Sequence, residues 1–431
     1  MAPVFPFVAL QYDPSRVDLA SVVTQPYDKI TPAMQEVYYQ ASPYNLARII
    51  LGRAEPGDDG ERNVYSRAAA YLRQWRAEGV LVRRPEPAFY RYAQRFRLPW
   101  DPAQERERVG LIALGQIEDY GQGMVFRHEQ TLLAPKADRL NLLRATRAHF
   151  GQIFMIYSDP ERSVERLLAP HGAPEASVTD EYGVAHSLWR FTDPQTLATV
   201  TAAMADKKLI IADGHHRYET ALTYRNERRA QGTATAACER VMMTLVNMDA
   251  EGLCILPGHR LVHSLPNFDG ESFLAGARRH FQIEPMASAA GSASLTAWLA
   301  AHRNQGTVMV AVTRQGAWAL RYLPETGQEL MASLPALQRQ LDVAVLHRVV
   351  LESVLGISEE AVRAQAHVSY YRDAEEAVQR VRQGGGDVAL LINPVSAQQV
   401  KDIALAGGVM PQKSTDFYPK MLSGLTIYAL E

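Results

Sequence analysis

The pattern of apolar and polar positions predicts a chain that mixes helices and strands along its length. Apolar residues recur at helical spacing from Asn63 to Glu78, which predicts a helix. Residues 89–98 alternate aromatic or apolar residues with basic ones, which is typical of a half-exposed strand. The apolar run Leu209–Ala212 predicts a short buried strand. Since no internal repeat or low-complexity tract is present, we predict a globular protein of the mixed α/β class.

The same reasoning predicts the remaining elements. The predicted helices span 137–149, 163–168, 193–205, 217–231, 271–281, 294–302, 341–355 and 374–382. The predicted strands span 111–117, 153–157, 241–248, 307–312, 317–322, 388–392 and 424–430. A chain of 431 residues is too long for one small core, and the pattern changes near Leu265. We therefore predict a phosphate-binding catalytic domain over 1–264 and an α/β domain over 265–431. Loop 407–420 of the second domain is predicted to return to the catalytic site of the first.

Composition narrows the functional classes. The formal net charge of -2 gives no general basis for nucleic-acid binding, which needs a concentrated basic face. The cysteines, Cys238 and Cys254, have neither a disulfide framework nor a metal-binding spacing, which favours a reducing compartment. Residues 1–10 lack the features of a signal peptide, and no apolar run approaches the length of a membrane span. We predict a cytoplasmic protein without a membrane partner.

The strongest chemical pattern lies where the buried strand meets an amphipathic helix. The strand ends at Asp213 and Gly214, and His215, His216 and Arg217 open the helix. The first N–H groups of a helix lack intrahelical partners and, with the helix dipole, attract anions. Cationic side chains at this position are unfavourable unless something negative lies beside them. The pattern therefore indicates a phosphate-binding helix start.

Each residue of this helix start has a predicted role. Asp213 caps the helix or holds a metal-bound water, Gly214 allows close backbone approach, and the next three residues contact phosphate oxygens. Glu219 is a further substrate contact on the same helix. Alanine at His216 or Arg217 is expected to abolish turnover and to leave thermal stability nearly intact. The structural alternative is a capped helix whose histidines only make hydrogen bonds within the fold.

A second cluster of polar residues precedes the helix predicted from residue 137. Residues 127–131 read Arg-His-Glu-Gln-Thr, and Lys136, Asp138 and Arg139 follow. An imidazole, a carboxylate and cations are the groups that phosphoryl transfer uses. The spacing is not that of a zinc peptidase, because the second histidine is missing. A solvated loop beside a basic helix face is the structural alternative.

A third cluster, Met410–Lys420, follows two glycines and contains Lys413, Ser414 and Thr415. Its composition is similar to that of a phosphate-contacting loop, but it does not match a P-loop. These residues equally fit an exposed turn.

Asp28 follows a proline and a tyrosine in a predicted turn. Its side chain would commonly stabilise such a turn. The alternative is a catalytic or magnesium-binding role, because magnesium sites need only one or two carboxylates beside substrate phosphates.

Several of these motifs together resemble the DUF1015 family of bacteria and archaea. The resemblance runs from about residue 5 to the C-terminus. It is carried by Pro26–Asp28, Ser42–Asn45, His128–Glu129 with Asp138–Leu140, Ile211–Ala221 and Lys413–Lys420. Motifs spread over the whole chain in this way favour one common site over separate surface loops. The association of family members with serine biosynthesis genes implies serine or phosphoserine as a candidate substrate.

The Asp-Gly-His-His-Arg segment also resembles the ParB/sulfiredoxin superfamily, whose members include chromosome-partition CTPases, sulfiredoxin and free-serine kinases. That resemblance implies a core that binds nucleotide phosphates through Gly214, His215, His216 and Arg217. The chain has no basic recognition helix and no cysteine near Asp213, so neither DNA partition nor sulfiredoxin chemistry is expected. For the catalytic carboxylate of the kinases, Asp28, Glu129 and Glu219 are all candidates.

We predict a small-molecule enzyme that transfers or removes a phosphoryl group on serine, phosphoserine or a related metabolite. The helix start would hold the phosphate, with Lys413 and Arg139 neutralising developing charge. His128 or Glu129 would act as base or acid, and His216 and Asp28 are further catalytic candidates. Mg²⁺ and a nucleotide are candidate cofactors.

Two other functions remain open from the sequence. One is a CTP-binding regulator without metabolite turnover, which would use the same helix start. The other is a metal hydrolase that uses His128, Glu129, His215 and His216. The sequence does not indicate the metal, the phosphate donor or the oligomeric state.

Overall fold

A computed structural model describes residues 3–129, 133–287 and 291–431. The chain forms two compact units, each with its own sheet. The first comprises 3–127, 133–253 and Pro419–Glu431; the second comprises His128, Glu129 and the described part of 254–418. The chain thus enters the second unit at Cys254 and returns to the first at Pro419. The predicted boundary at residue 265 and the return of loop 407–420 to the site stay predictions.

The first unit is built on a mixed sheet. Its strands are β1 (Val4–Phe5), β2 (Leu10–Tyr12), β3 (Leu81–Arg83), β4 (Phe89–Leu98), β5 (Asp101–Gln116), β6 (Val125–Phe126), β7 (Ala148–His149), β8 (Ile153–Tyr157), β9 (Ala176–Thr179), β10 (Ala185–Phe191), β11 (Leu209–Asp213), β12 (Arg240–Asn247) and β21 (Tyr428–Ala429), numbered in chain order. Its helices are α1 (Leu19–Val22), α2 (Pro32–Ala41), α3 (Ala47–Ile50), α4 (Val64–Ala77), α5 (Leu133–Thr146), α6 (Ser163–Leu167), α7 (Pro194–Met204) and α8 (His215–Ala230).

The large sheet of this unit has the strand order β6-β11-β8-β12-β5-β4-β10-β9. The short strand β1 pairs with the C-terminal end of β5. The pairing of β8 with β12 is parallel, whereas β11 runs antiparallel to β8. All five residues of β8 are buried, as expected for a continuous apolar run inside a sheet. The core around β8 includes Met155, Ile211 and Tyr218, so the strand β11 and the helix α8 are fixed by packing. This packing sets the position of the candidate helix start.

The second unit contains a smaller sheet with the strand order β15-β17-β16-β19-β14-β18, and a separate strand pair β13-β20. Its strands are β13 (Cys254–Leu256), β14 (His259–Val262), β15 (Phe281–Pro285), β16 (Val308–Thr313), β17 (Gly316–Tyr322), β18 (Val368–Tyr371), β19 (Val388–Ile392) and β20 (Asp416–Tyr418). Its helices are α9 (Gly270–Ala277), α10 (Ser292–His302), α11 (Gln328–Met331), α12 (Ala336–Arg339), α13 (Asp342–Val345), α14 (Glu359–Arg363), α15 (Ala374–Arg382) and α16 (Ala397–Leu405). The wider π-helical turns of Leu346–Val354 continue α13.

The structure confirms the mixed α/β class and many of the predicted elements. The helix α15 and the strand β19 have the predicted bounds, and the strands predicted over 307–312 and 317–322 pair as the hairpin β16-β17. Other bounds were wrong. The helix predicted to reach residue 149 ends at Thr146, because Arg147 takes a left-handed backbone conformation and β7 then pairs with β21.

Two further predicted elements are also corrected. The helix predicted over 271–281 ends at Ala277, because Phe281 begins the edge strand β15 and pairs with Tyr322. The strand predicted over 424–430 is reduced to Tyr428–Ala429. Residues 424–427 are buried without forming a named strand, and an apolar run alone does not distinguish a strand from other buried backbone. In the part of the chain that the structure describes, no helix has the length and apolar character needed to cross a membrane.

Candidate functional site

A glycine hinge joins β11 to α8 in the first unit. Gly214 has φ of 93°, in the left-handed region that favours glycine, and the helix begins at His215. A Cβ atom on Gly214 would lie 2.9 Å from Nε and Nη2 of Arg217. The hinge therefore has to be glycine for two reasons: its backbone conformation, and the guanidinium that folds back over it. His215 is buried and His216 is half-buried.

The negative group that the helix start requires is supplied by the protein itself. Arg217 Nη2 donates to the Asp213 carboxylate at 2.8 Å, and Lys420 Nζ donates to its other oxygen at 3.3 Å. Burial alone would raise the pKa of Asp213, but Lys420, Arg217 and Lys29 hold it well below its usual value. The carboxylate is therefore ionised at neutral pH. This differs from the predicted capping role: Gly214 occupies the N-cap position, and the contacts of Asp213 are ion pairs.

A pocket with a volume of about 70 Å³ lies beside the helix start, within the first unit. Apolar side chains of α5, β8 and β12 form part of its wall. Its polar lining residues are Tyr27, Arg139, His149, Arg217, Thr220 and Ser423. The pocket thus brings together two of the predicted phosphate contacts, Arg139 and Arg217, with three hydroxyl side chains.

The backbone of Gly151 forms part of the pocket wall next to Arg217. A Cβ atom on Gly151 would lie 3.3 Å from Arg217 Nη1 and 3.4 Å from Ser423 Oγ. Arg217 Nη1 also donates to the carbonyl of Gln152. The hydroxyl of Thr220 is buried and has no hydrogen-bond partner among the described residues. Because a buried donor is costly without an acceptor, this hydroxyl is suited to a ligand oxygen.

Arg139 reaches the pocket from α5. Its Nη1 donates to the carbonyl of Ile50 at 2.6 Å, and its Nε donates to the carboxylate of Asp138 at 2.8 Å. The guanidinium carbon lies 4.0 Å from the ring centroid of Tyr27, a cation–π geometry. These contacts hold Arg139 at the pocket, and Asp138 already pairs with its single positive charge. Asp28, the residue after Tyr27, is exposed on a short 3₁₀ turn.

Glu219 lies on α8 but faces other partners. Its buried carboxylate forms ion pairs with Lys136 and, at 3.6 Å, with Arg127 Nη1. The hydroxyl of Tyr120 also donates to it, at 3.5 Å. Two cations therefore already compensate its charge, and Glu219 does not line the pocket that holds Arg217.

The second unit joins the other two predicted motifs. The imidazole Nε2 of His128 lies 2.9 Å from Thr415 Oγ1, and the backbone of Glu129 pairs with that of Met410. Ser414 Oγ donates to the carbonyl of Pro411 at 2.5 Å, a local turn contact. Lys413 is exposed and has φ of 55°. Gln130 and Thr131 of the second motif lie outside the described residues.

Donor chemistry does not indicate a metal centre. Among the described residues, no group of three or more histidine, cysteine, aspartate or glutamate side chains is arranged to hold a metal ion. The oxygens of Asp213 accept from cations, which does not fit a magnesium ligand. His215 and His216 lie in the first unit, whereas His128 and Glu129 lie in the second.

A family model described as a protein of unknown function, DUF1015, matches residues 4–344. The chain belongs to the DUF1015 family. No curated protein matches the chain closely enough to count as a relative.

Solved structures that resemble this DUF1015 protein do so only distantly. A conserved hypothetical protein from Pyrococcus furiosus is 12% identical, with a TM-score of 0.35 over 70% of this chain and 91% of that one. A free serine kinase in complex with AMP is 11% identical, with a TM-score of 0.34 over 70% and 89%. SbnI from Staphylococcus aureus, with a C-terminal truncation, is 11% identical, with a TM-score of 0.34 over 74% and 87%. Similarities of this size do not establish a shared fold.

Sequence reasoning about this DUF1015 protein missed several residues of the first-unit site. Lys420 ended a predicted motif but had no assigned role, and its partner Asp213 is 207 positions away in the chain. Thr220 is one turn beyond His216 on α8, so helical spacing could have identified it. Gly151 and Ser423 carried no sequence signal, because only the fold brings them beside Arg217.

Proposed function

We propose that the first unit binds a phosphorylated small metabolite and transfers or removes its phosphoryl group, with serine or phosphoserine as the first candidates. The observation that supports this proposal is the pocket lined by Arg139 and Arg217. Guanidinium groups bind phosphate oxygens in a bidentate manner and stabilise the charge that develops in phosphoryl transfer. The glycine-hinged start of α8 also supports the proposed ParB/sulfiredoxin-like organisation of this unit.

The first unit contains both binding and catalytic candidates. Arg217 and Arg139 would hold the phosphoryl oxygens, and the Thr220 hydroxyl would donate a further hydrogen bond. Within this unit, His216 in the first turn of α8 and Asp28 beside Tyr27 are the candidate bases. In the second unit, His128 and Glu129 remain the candidate acid or base. Candidate phosphate contacts there are Lys413, Ser414 and Thr415. No step of this proposal passes through a metal ion.

The size of the pocket favours a small ligand. A volume of about 70 Å³ corresponds to roughly five waters, since one water needs about 10–15 Å³ on this measure. That space suits a phosphoryl group with a short stem. It supports a small metabolite over a whole nucleotide as the group bound inside. We also propose that the protein is located in the cytoplasm. Cys238 and Cys254 are both free thiols, as is usual in a reducing compartment.

A thermal-unfolding screen tests this function. Phosphoserine and inorganic phosphate are expected to raise the melting temperature, because a ligand at a hundred times its Kd stabilises the native state by about 2.7 kcal/mol. Serine alone, ADP, ATP and CTP complete the set of ligands. Stabilisation by CTP without stabilisation by phosphate or phosphoserine would contradict the proposal and favour a nucleotide-binding regulator.

Narrowing the pocket at Gly151 should weaken phosphate binding without unfolding the protein. In Gly151→Ala, the new methyl group presses on Arg217 and Ser423, which must shift by a few tenths of an ångström. We expect an affinity for inorganic phosphate that is roughly tenfold lower, about 1.4 kcal/mol, measured by calorimetry. Gly60→Ala is the matched control, because its Cβ atom would meet nothing within 4 Å. Equal losses in both variants would show that the effect does not come from the pocket.

A further inference from the structure

The second unit buries an arginine that has no acidic ion-pair partner in the part of the chain that the structure describes. Arg260 lies in β14 and has no exposed surface. Its Nη1 donates to the carbonyl of Gly258, and its Nη2 contacts the carbonyl of Gln412 and Nε2 of His347, both at 3.3 Å. No ion pair reaches Arg260 from any described residue. A fully buried arginine is rarely left unpaired, because a charge without a counter-ion is costly in a low dielectric.

The imidazole of His347 does not change this balance. Burial, together with the neighbouring charges of Arg260 and Arg348, lowers the pKa of His347 to about 3. The ring is therefore neutral at pH 7 and contributes no charge. All three contacts of the Arg260 guanidinium are made with neutral groups, and burial lowers the pKa of Arg260 itself to about 10.

Tyr370 lies directly opposite Arg260 on the neighbouring strand β18. The guanidinium carbon is 4.9 Å from the centroid of the tyrosine ring. Arg260 Nε and Tyr370 Oη are both buried, and neither has a hydrogen-bond partner among the described residues. Two unused donors in one cross-strand pair, beside an uncompensated positive charge, match what an oxyanion needs.

The turn at Gln412 and Lys413 lies against the guanidinium of Arg260. Gly258 lets the turn lie close, because a Cβ atom there would be 2.8 Å from the carbonyl oxygen of Lys413 and 2.7 Å from Arg260 Nη1. Lys413 holds a left-handed backbone conformation, with φ of 55°, that is unfavourable for a residue other than glycine. The described link between the turn and the guanidinium is the long hydrogen bond from Arg260 to the Gln412 carbonyl. Opening of the turn would therefore expose the guanidinium. Glu129 is the acidic neighbour whose charge acts on Tyr370.

We propose that Arg260 and Tyr370 bind one small oxyanion, a phosphate or carboxylate group, which enters when the Gln412–Lys413 turn opens. The anion replaces the Gln412 carbonyl as the partner of the guanidinium and accepts from Arg260 Nε and Tyr370 Oη. This site is separate from the pocket at Arg217 and does not depend on the function proposed for it.

This proposal is tested by anomalous diffraction from crystals of the full-length protein soaked in selenate. Selenate has the shape of phosphate, and the anomalous scattering of selenium shows where it binds. The wild-type protein should show a peak within hydrogen-bond distance of Arg260 Nε. In Tyr370→Phe, the selenate concentration needed for half occupancy should rise by at least about tenfold, the loss expected for one hydrogen bond to a charged group. Tyr371→Phe is the matched control, since adjacent strand residues point to opposite faces.

The substitution at Tyr370 removes a hydroxyl that has no hydrogen-bond partner among the residues described, so the stability of the unliganded protein should be unchanged. Competing the selenate with inorganic phosphate in one soak and with acetate in another distinguishes the two ligand classes. A peak at Arg217 with none at Arg260 would overturn the proposal. Equal occupancy in wild type and Tyr370→Phe would overturn it as well, leaving Arg260 as a structural clamp on the carbonyl groups.

Discussion

Replacing Arg217 with alanine is expected to lower the free energy of unfolding by about 3 kcal/mol, the lower end for breaking a buried ion pair. The side chain is only 15% exposed, and its loss removes one of the cations, with Lys420 and Lys29, that stabilise the charge of Asp213. The carbonyl of Gln152 loses a donor as well. This changes the expectation from the sequence that Arg217→Ala would leave stability nearly intact. The difference arises because the guanidinium is part of the fold as well as of the pocket.

The same variant should bind inorganic phosphate at least about a hundredfold more weakly, because a charge-assisted bidentate contact contributes roughly 3 kcal/mol. Urea denaturation measures the first effect and calorimetry the second, both on the full chain. Arg228→Ala on the same helix is the control, since its described contacts are Gln231 and the ring of Tyr224. Wild-type phosphate affinity in Arg217→Ala would exclude this pocket as the phosphate site.

Replacing Asp213 with asparagine should destabilise the protein at neutral pH and much less in acid. The neutral amide leaves Arg217 and Lys420 close together without their carboxylate, at a cost of about 3 kcal/mol. The pKa of Asp213 is lowered in the folded state, so its stabilising effect is fully present above the unfolded value of about 3.9. It is lost as the pH falls through the folded value.

The melting temperatures of wild type and Asp213→Asn should therefore converge as the pH is lowered below about 4. Thermal unfolding followed from neutral to strongly acidic pH measures this convergence. Asp206→Asn, an exposed aspartate in the turn after α7, is the control and should follow wild type throughout. A constant difference across the whole range would mean that Asp213 is not stabilised as the charged form.

The sequence predicts the local part of the fold well. Helix α4 begins where Asn63 and Ser66 form a capping box, and α7 begins after the cap Asp193. Both are local signals that neighbouring residues carry. The elements that the sequence does not predict depend on pairing between distant segments. Strand β7 forms because Ala148 and His149 pair with β21 at Tyr428. No periodicity in either segment could indicate that partner.

The candidate site follows the same division. The helix start at Gly214 is readable from the sequence because strand, glycine and helix are consecutive. Its electrostatics are not, because the cation that completes the Asp213 cluster comes from Lys420 in a distant segment. His128 and Thr415 were predicted in separate motifs and lie 2.9 Å apart. Sequence patterns supplied the residue types, whereas the contacts between them needed the fold.

The return of the chain at Pro419 has a consequence for how the protein is made. A ribosome releases β11 and α8 long before it reaches Lys420 and Ser423, so the nascent first unit holds Asp213 and Arg217 without their later neighbours. Residues 254–418 of the second unit are translated in between. In many proteins an N-terminal domain finishes folding before the rest of the chain is made. The first unit of this protein cannot do so, because its last segment is made at the end. The pocket at Arg217 is assembled last, when the final segment joins the part of the first unit that was made earlier.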